Sequence, residues 1–300
     1  EILRCLVGSE MCIRDRYKDR RNDMTLFLLL IAVVVIVCIL ATRLSSKFGV
    51  PTLLIFILLG MVFGSDGLFK ISFDDFIISE QICTFALIYI MFYGGFNTKW
   101  KTARPVAVKA VLLSTCGVIL TAAFTMLFCY FVLRFPIAES FLVGAVLSAT
   151  DAASVFAILR RKKLNLKDGV ASLLEIESGS NDPIAYMLTV IGIYILNGDN
   201  LIKVPYVIFA QIVYGVLIGI GLAVAAIYVL TRTDIIVNGL DTIFILAVVL
   251  LGLGLSQLVG GNEFLCIYLF GILLGNSRIR NKGNICLLYT SDAADDLIGV

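Results

Sequence analysis

The sequence has no histidine, a single tryptophan and few charges: 15% of its 300 residues are charged, against 60% apolar. Without histidine there can be no imidazole zinc site and no Ser-His-Asp triad. Any sensing of pH near neutrality then falls to carboxylates whose titration is displaced by burial. So little charge excludes a water-soluble globule, because ordinary domains carry roughly a quarter charged residues. The mean hydropathy of +1.00 points the same way. A net charge of +2 is too weak to form a nucleic-acid surface. Among the eight cysteines, Cys38, Cys83, Cys116, Cys129 and Cys266 lie in or beside apolar runs without CxxC spacing. They read as small buried hydrophobes. No cofactor and no enzymatic activity are expected.

Both ends carry segments to be set apart from fold reasoning. Residues 1–16, EILRCLVGSEMCIRDR, resemble a translated sequencing adapter, and residues 286–300, CLLYTSDAADDLIGV, resemble translation through the opposite adapter. Residues 17–23 include Arg20-Arg21, whose codons can spell a ribosome-binding sequence ahead of Met24. They are expected to be an untranslated leader, which makes 24–285 the native segment and the chain a fragment.

Crossing about 30 Å of hydrocarbon as helix takes about 20 apolar residues, fewer with tilt or interfacial help. Nine such runs are present, at about 24–42, 51–68, 82–97, 106–133, 137–160, 170–197, 204–231, 235–259 and 263–277. Each is expected to be helical, since lipid offers the backbone no hydrogen-bond partner. Turn chemistry falls at Gly49-Val50-Pro51, Arg104-Pro105, Phe135-Pro136, Asn197-Gly198-Asp199 and Asn238-Gly239. Lys and Arg cluster beside the odd-numbered loops, as in Lys99, Lys101, Arg104 and the run Arg160 to Lys163. The even-numbered loops hold only Lys70, Arg134 and Lys203. Positive charge stays cytoplasmic, so the native N-terminus is expected outside. Trp100 reads as an interfacial anchor.

An ionisable group inside hydrocarbon costs about 2.5 to 3.5 kcal/mol on insertion scales and is a functional hypothesis by default. Asp151 falls about midway along the fifth run, next to Thr150, and small residues at Ala149, Ala152 and Ala153 allow another helix to approach. The sixth run opens with Glu175, Glu177, Ser178, Ser180, Asn181, Asp182 and Pro183. Glu177 and Asn181 are i,i+4 neighbours, as are Ser178 and Asp182, so two polar ridges run side by side. Pro183 lacks an N–H and crowds the carbonyl of Gly179, loosening the helix beside the carboxylates. Oxygen-rich groups of this kind suit a dehydrated monovalent cation, and buried carboxylates can hold protons instead. No basic residue lies deep in any run to neutralise Asp151 or Asp182. Glu177 reads first as a charge-pairing group, and Glu175 is open between a site role and a favourable acid at a helix start.

The runs Ala149-Thr150-Asp151-Ala152-Ala153-Ser154-Val155 and Glu175-Ile-Glu177-Ser178-Gly-Ser-Asn181-Asp182-Pro183 resemble the bacterial monovalent cation/proton antiporters, most of all their potassium/proton branch. Leu58-Leu-Gly60-Met-Val-Phe-Gly64-Ser-Asp66-Gly67 and Phe270-Gly271-Ile-Leu-Leu-Gly275-Asn276 extend the resemblance over essentially all of 24–285. The resemblance implies an all-α polytopic membrane protein of the bacterial inner membrane, with about nine helices of an incomplete thirteen-helix inverted-repeat fold. It further implies a homodimer when full length, with half the moving core in 106–197 and a dimer scaffold in 24–97 and 204–277. Asp151 and Asp182 would exchange potassium or sodium for protons, with no other metal involved. Thr150, Ser178 and Asn181 would be their polar partners, and Glu177 would pair with an arginine on a later helix.

Two readings from other classes stand beside this one: an intramembrane aspartyl protease using two membrane aspartates, and a passive cation channel lined by the same carboxylates. The protease lacks a Tyr-Asp or Gly-x-Gly-Asp setting around either aspartate. Gly60/Gly64, Gly215/Gly219 and Gly271/Gly275 read as close contacts within one chain, with dimerisation as the alternative. Asp241, Asn262 and Glu263 read as solvated loop ends, with an aqueous funnel as the alternative.

Overall fold

Ten α-helices make up the described part of the computed structural model, which covers residues 29–43, 52–71, 75–150, 169–198, 200–232 and 240–279. The adapter-like segments, the leader, Met24, Asp151, the Arg160 to Lys163 run and the Gly49–Pro51 and Asn238-Gly239 turns lie outside the described residues, as does the Glu175 side chain. The helices are α1 (Leu29–Arg43) and α2 (Thr52–Phe63) in one compact unit, and α3 to α10 in a second unit that begins at Phe76. In the first unit, α2 ends in a turn closed by the Gly64 N–H on the Gly60 carbonyl at 2.8 Å. A Cβ on Gly67 would lie 2.2 Å from the Met61 carbonyl oxygen, so this turn admits only glycine there.

In the second unit the helices are α3 (Phe76–Asn97), α4 (Trp100–Leu112), α5 (Val118–Phe131), α6 (Ile137–Val146), α7 (Val170–Leu196), α8 (Val204–Arg232), α9 (Asp241–Val259) and α10 (Glu263–Gly275). A π turn, Leu113–Gly117, joins α4 to α5 without a break, so Trp100–Phe131 is one 32-residue span. Among the described residues four helices are long and apolar enough to cross a membrane: Phe76–Asn97, Trp100–Phe131, Val204–Arg232 and Asp241–Val259.

The expected turn at Arg104-Pro105 is not there: Pro105 lies inside α4, and the chain turns at Thr98-Lys99 instead. Near a helix start, Pro105 removes one hydrogen bond, to the carbonyl of the exposed Lys101. The true turn is held from a distant helix end. Asn276 accepts from the Trp100 N–H at 2.9 Å and donates to the Thr98 carbonyl at 2.9 Å.

Two bundles form in the second unit. In one, α10 packs between α3 and α8, with α9 alongside; in the other, α6 packs on α5 and α7, and α4 packs on α7. The first bundle holds most of the core, including Ile88, Phe92, Val249, Ile267, Phe270 and Leu274. Its helices approach closely because glycines line the crossings. Cβ atoms on Gly271 and Gly275 would lie 2.6 and 2.0 Å from the carbonyl oxygens of Phe92 and Phe96, and on Gly219 2.6 Å from that of Cys266. Those GxxxG pairs are therefore contacts within the chain, whereas Gly60 has nothing within 4 Å. The cysteines divide: Cys129 and Cys266 are buried, but Cys83 and Cys116 are exposed, correcting their reading as buried groups. Their helices present outward faces as apolar as the inward ones, so hydropathy alone could not assign a side.

Candidate functional site

The polar run of the sixth span lies on α7, which continues unbroken through Pro183 for 27 residues. Ser178 and Asn181 are buried, at 3% and 0% exposure, while Glu177 and Asp182 are half-buried. Across from them α6 stops at Val146. Ser148 turns its hydroxyl back onto the Ala145 carbonyl at 2.6 Å, and residues 149–150 carry on without helix. A serine that satisfies a helix-end carbonyl leaves the following backbone free to take another course.

That course brings Thr150 to α7, where the Asn181 amide donates to the Thr150 hydroxyl. The same amide nitrogen reaches Glu177 Oε1 at 3.4 Å, and the Ser178 hydroxyl donates to Glu177 Oε2 at 3.3 Å. Thr150, Glu177, Ser178 and Asn181 thus form one network. Asp182 is adjacent in the chain to Asn181, on the same helix turn. Asp151 lies outside the described residues. The Asn181 carbonyl oxygen Oδ1 is buried with no hydrogen-bond donor. A buried acceptor without a donor calls for explanation, and hard cations are bound by such oxygens.

At Pro183 the chemistry continues in a direction that composition and spacing did not reveal. Asn262 donates from Nδ2 to the Pro183 carbonyl at 2.9 Å, accepts at Oδ1 from the Leu265 N–H at 2.9 Å as N-cap of α10, and donates its own N–H to the Gln211 carbonyl at 3.0 Å. One fully buried residue therefore ties α7, α8 and α10 together. Beside it Glu263 is 4% exposed and faces the side chains of Tyr186 of α7 and Gln257 of α9. Asn262 and Glu263 are thus not solvated loop ends. Pro183 is the 14th of 27 residues in α7, roughly 20 Å from either end at 1.5 Å per residue. The bond to it places the start of α10 at the middle of that helix. The signal available in the sequence was the length of α10: 13 residues reach about 20 Å and cannot cross the bilayer.

The π turn Leu113–Gly117 packs against α7 as well, with Ser114 fully buried. Such single-turn bulges recur at functional sites, and nothing in the apolar pattern marks it.

The family described as "Sodium/hydrogen exchanger, transmembrane" matches residues 29–295. Over 256 residues the chain is 35% identical to the K(+)/H(+) antiporter NhaP of Alkalimonas amylolytica, covering 85% of this chain and 44% of that protein. It is also 35% identical over 263 residues to the K(+)/H(+) antiporter NhaP2 of Shewanella sp. strain ANA-3, covering 86% and 45%. The chain spans less than half the length of these relatives. Among solved structures it matches the sodium proton antiporter MjNhaP1 from Methanocaldococcus jannaschii at pH 8, with a TM-score of 0.68 at 23% identity, over 89% of this chain and 65% of that one. The fold is shared.

Proposed function

The chain belongs to the sodium/hydrogen exchanger family, and from that membership we propose that the full gene product exchanges potassium, or sodium, for protons across the bacterial inner membrane. The apolar helices and the family make it a multi-pass membrane protein. The native N-terminus is proposed to face outward, on the distribution of Lys and Arg, and the whole protein to be a homodimer in the lipid bilayer.

One observation carries the reading: the non-helical stretch after α6 and the polar turn of α7 meet through Asn181, whose Oδ1 is left buried without a donor. Asp151 and Asp182 are the proposed exchanging carboxylates. When charged they bind the cation, and when protonated they release it. Thr150 and Ser178 supply oxygens, and Asn181 orients Thr150 against Glu177. Among the described residues Glu177 hydrogen-bonds to Ser178 and Asn181 and to no lysine or arginine, which fits a charge partner elsewhere in the full protein. We therefore expect the 300 residues alone to be inactive. Competition between proton and cation at one site, carried by one bundle moving against another, yields exchange. The family match favours neither a protease nor a passive channel.

The test is the full-length gene product in everted vesicles from an antiporter-deficient bacterium, following collapse of the pH gradient on adding KCl and then NaCl. Collapse with KCl that is lost in Asp182→Asn is the expected result. Exchange retained in Asp182→Asn would refute the assignment.

A further inference from the structure

The joint between the two bundles holds a carboxylate for which the exchange reading has no use. Among the described residues α7 of the site bundle packs on α3, α8 and α10 of the other. Around the middle of α7 the contact is polar: Asn262 on the Pro183 carbonyl, and Glu263 on Tyr186. The Tyr186 ring packs edge-on against Phe264 at 4.9 Å, and the Tyr268 ring covers Gly179 so closely that a Cβ there would lie 2.5 Å from Cε2. Glu263 itself is 4% exposed.

The helices packed here bring polar groups to the site. Tyr186 comes from α7, Glu80 of α3 acts on Tyr186, Gln257 comes from α9, and Cys266 of α10 itself feels Glu263. From α8 comes Gln211, whose backbone holds Asn262 and whose own Oε1 is buried without a donor. Among the described residues no lysine or arginine acts on Glu263. An anion in that setting, at the middle of a membrane helix, requires a proton or another cation. Tyr186 and Gln257 can each donate to the charged form, and either can turn to accept from the acid, because a hydroxyl and an amide carry both functions. The same two neighbours can therefore pair with either state of the carboxyl.

We propose that Glu263 is a second proton-binding carboxylate of this protein, seated at the joint between the bundles and linked by Tyr186 to the helix that carries Asp182. A proton adds to one carboxylate oxygen of Glu263, and the Tyr186 hydroxyl then turns from donor to acceptor. Tyr186 lies four residues after Asp182, one helical turn away on the same face. The charge state of Glu263 is thus read out next to the exchanging site, across the bond that joins the two bundles. A proton held there adjusts the pH at which exchange runs without being exchanged itself. Only the flux arm of the following test rests on the exchange reading above.

The first arm uses the 300-residue chain itself in membranes. N,N′-dicyclohexylcarbodiimide takes the proton of a buried carboxylic acid onto its nitrogen, is attacked by the resulting carboxylate, and rearranges to a stable N-acylurea that peptide mass spectrometry locates. Glu263 is expected to be labelled near pH 7, with labelling falling at least tenfold as the pH is raised. In Tyr186→Phe, which loses a donor to the charged form, labelling should persist to higher pH. A Glu263 peptide that is detected but unlabelled at every pH, or labelled equally at all of them, overturns the proposal. The second arm measures exchange by the full-length protein. In Glu263→Gln the pH profile should move, with the half-saturating cation concentration staying within twofold, and Glu263→Asp should restore the profile in part. An unmoved profile in a Glu263→Gln protein that still exchanges overturns the proposal. Absence of exchange in the unsubstituted protein would count against the exchange reading alone, and the labelling arm would still decide Glu263.

Discussion

Replacing Asn262 separates two contributions that the structure stacks on one side chain. In Asn262→Ala the Leu265 N–H loses its cap and the Pro183 carbonyl loses a donor, both at 2.9 Å in the parent. Loss of an N-cap costs about 1 kcal/mol, and a hydrogen bond removed from a buried site costs about 1 to 1.5 kcal/mol more. The chain should therefore lose about 2 to 2.5 kcal/mol. Asn262→Ser keeps a cap acceptor but is too short to reach across to α7, so it should lose only the second part, about 1 kcal/mol. Asn262→Asp keeps the cap and sets a carboxylate oxygen against the Pro183 carbonyl, so it should lose at least as much as alanine. The assay is unfolding in mixed micelles titrated with dodecyl sulfate, followed through the single tryptophan, Trp100. If aspartate or serine proves as stable as asparagine, the bridge from α10 to α7 is not there.

Other outcomes follow from the same packing. Gly275→Ala would set a Cβ 2.0 Å from the Phe96 carbonyl oxygen, forcing α3 and α10 apart at a cost of about 1 to 3 kcal/mol. Gly254→Ala, with nothing within 4 Å, should instead gain about 0.5 to 1 kcal/mol from helix propensity; the two are compared in the same micelle titration, and equal stabilities would contradict the crossing. Thr150→Val removes the acceptor of the Asn181 amide, and about 1 kcal/mol lost there should raise the half-saturating cation concentration in full-length exchange about fivefold. A membrane-permeant maleimide should modify Cys83 and Cys116 and spare Cys129 and Cys266, as read by mass spectrometry of the folded chain; modification of all four at one rate would contradict their placement.

Much of the site could be read from residue order, because its groups are local. Glu177, Ser178, Asn181 and Asp182 lie within two helix turns, so i,i+4 spacing was enough to put them on one side of α7. The meeting of Thr150 with Asn181 was not readable from spacing: it spans 31 residues and depends on α6 ending at Val146, with Ser148 closing that end. Pro105 misled for a related reason. A proline marks a turn only where its missing N–H would be costly, and in α4 the real turn is made by Asn276, more than 170 residues away.

The sequence by itself determined that the chain lives in a membrane, that its apolar runs favour helix, and which short run carries charge into the bilayer. Those properties follow from composition and local order along the chain: lipid drives the backbone into helix, and a charge in an apolar run is costly enough to stand out by itself. Only the tertiary structure decided which apolar faces are covered, which glycines carry crossings, and that Asn262 and Glu263 are buried at the middle of α7. These depend on where one helix starts relative to the depth of another. A short helix is equally short wherever it sits, but only its hydrogen bond to Pro183 fixes its depth.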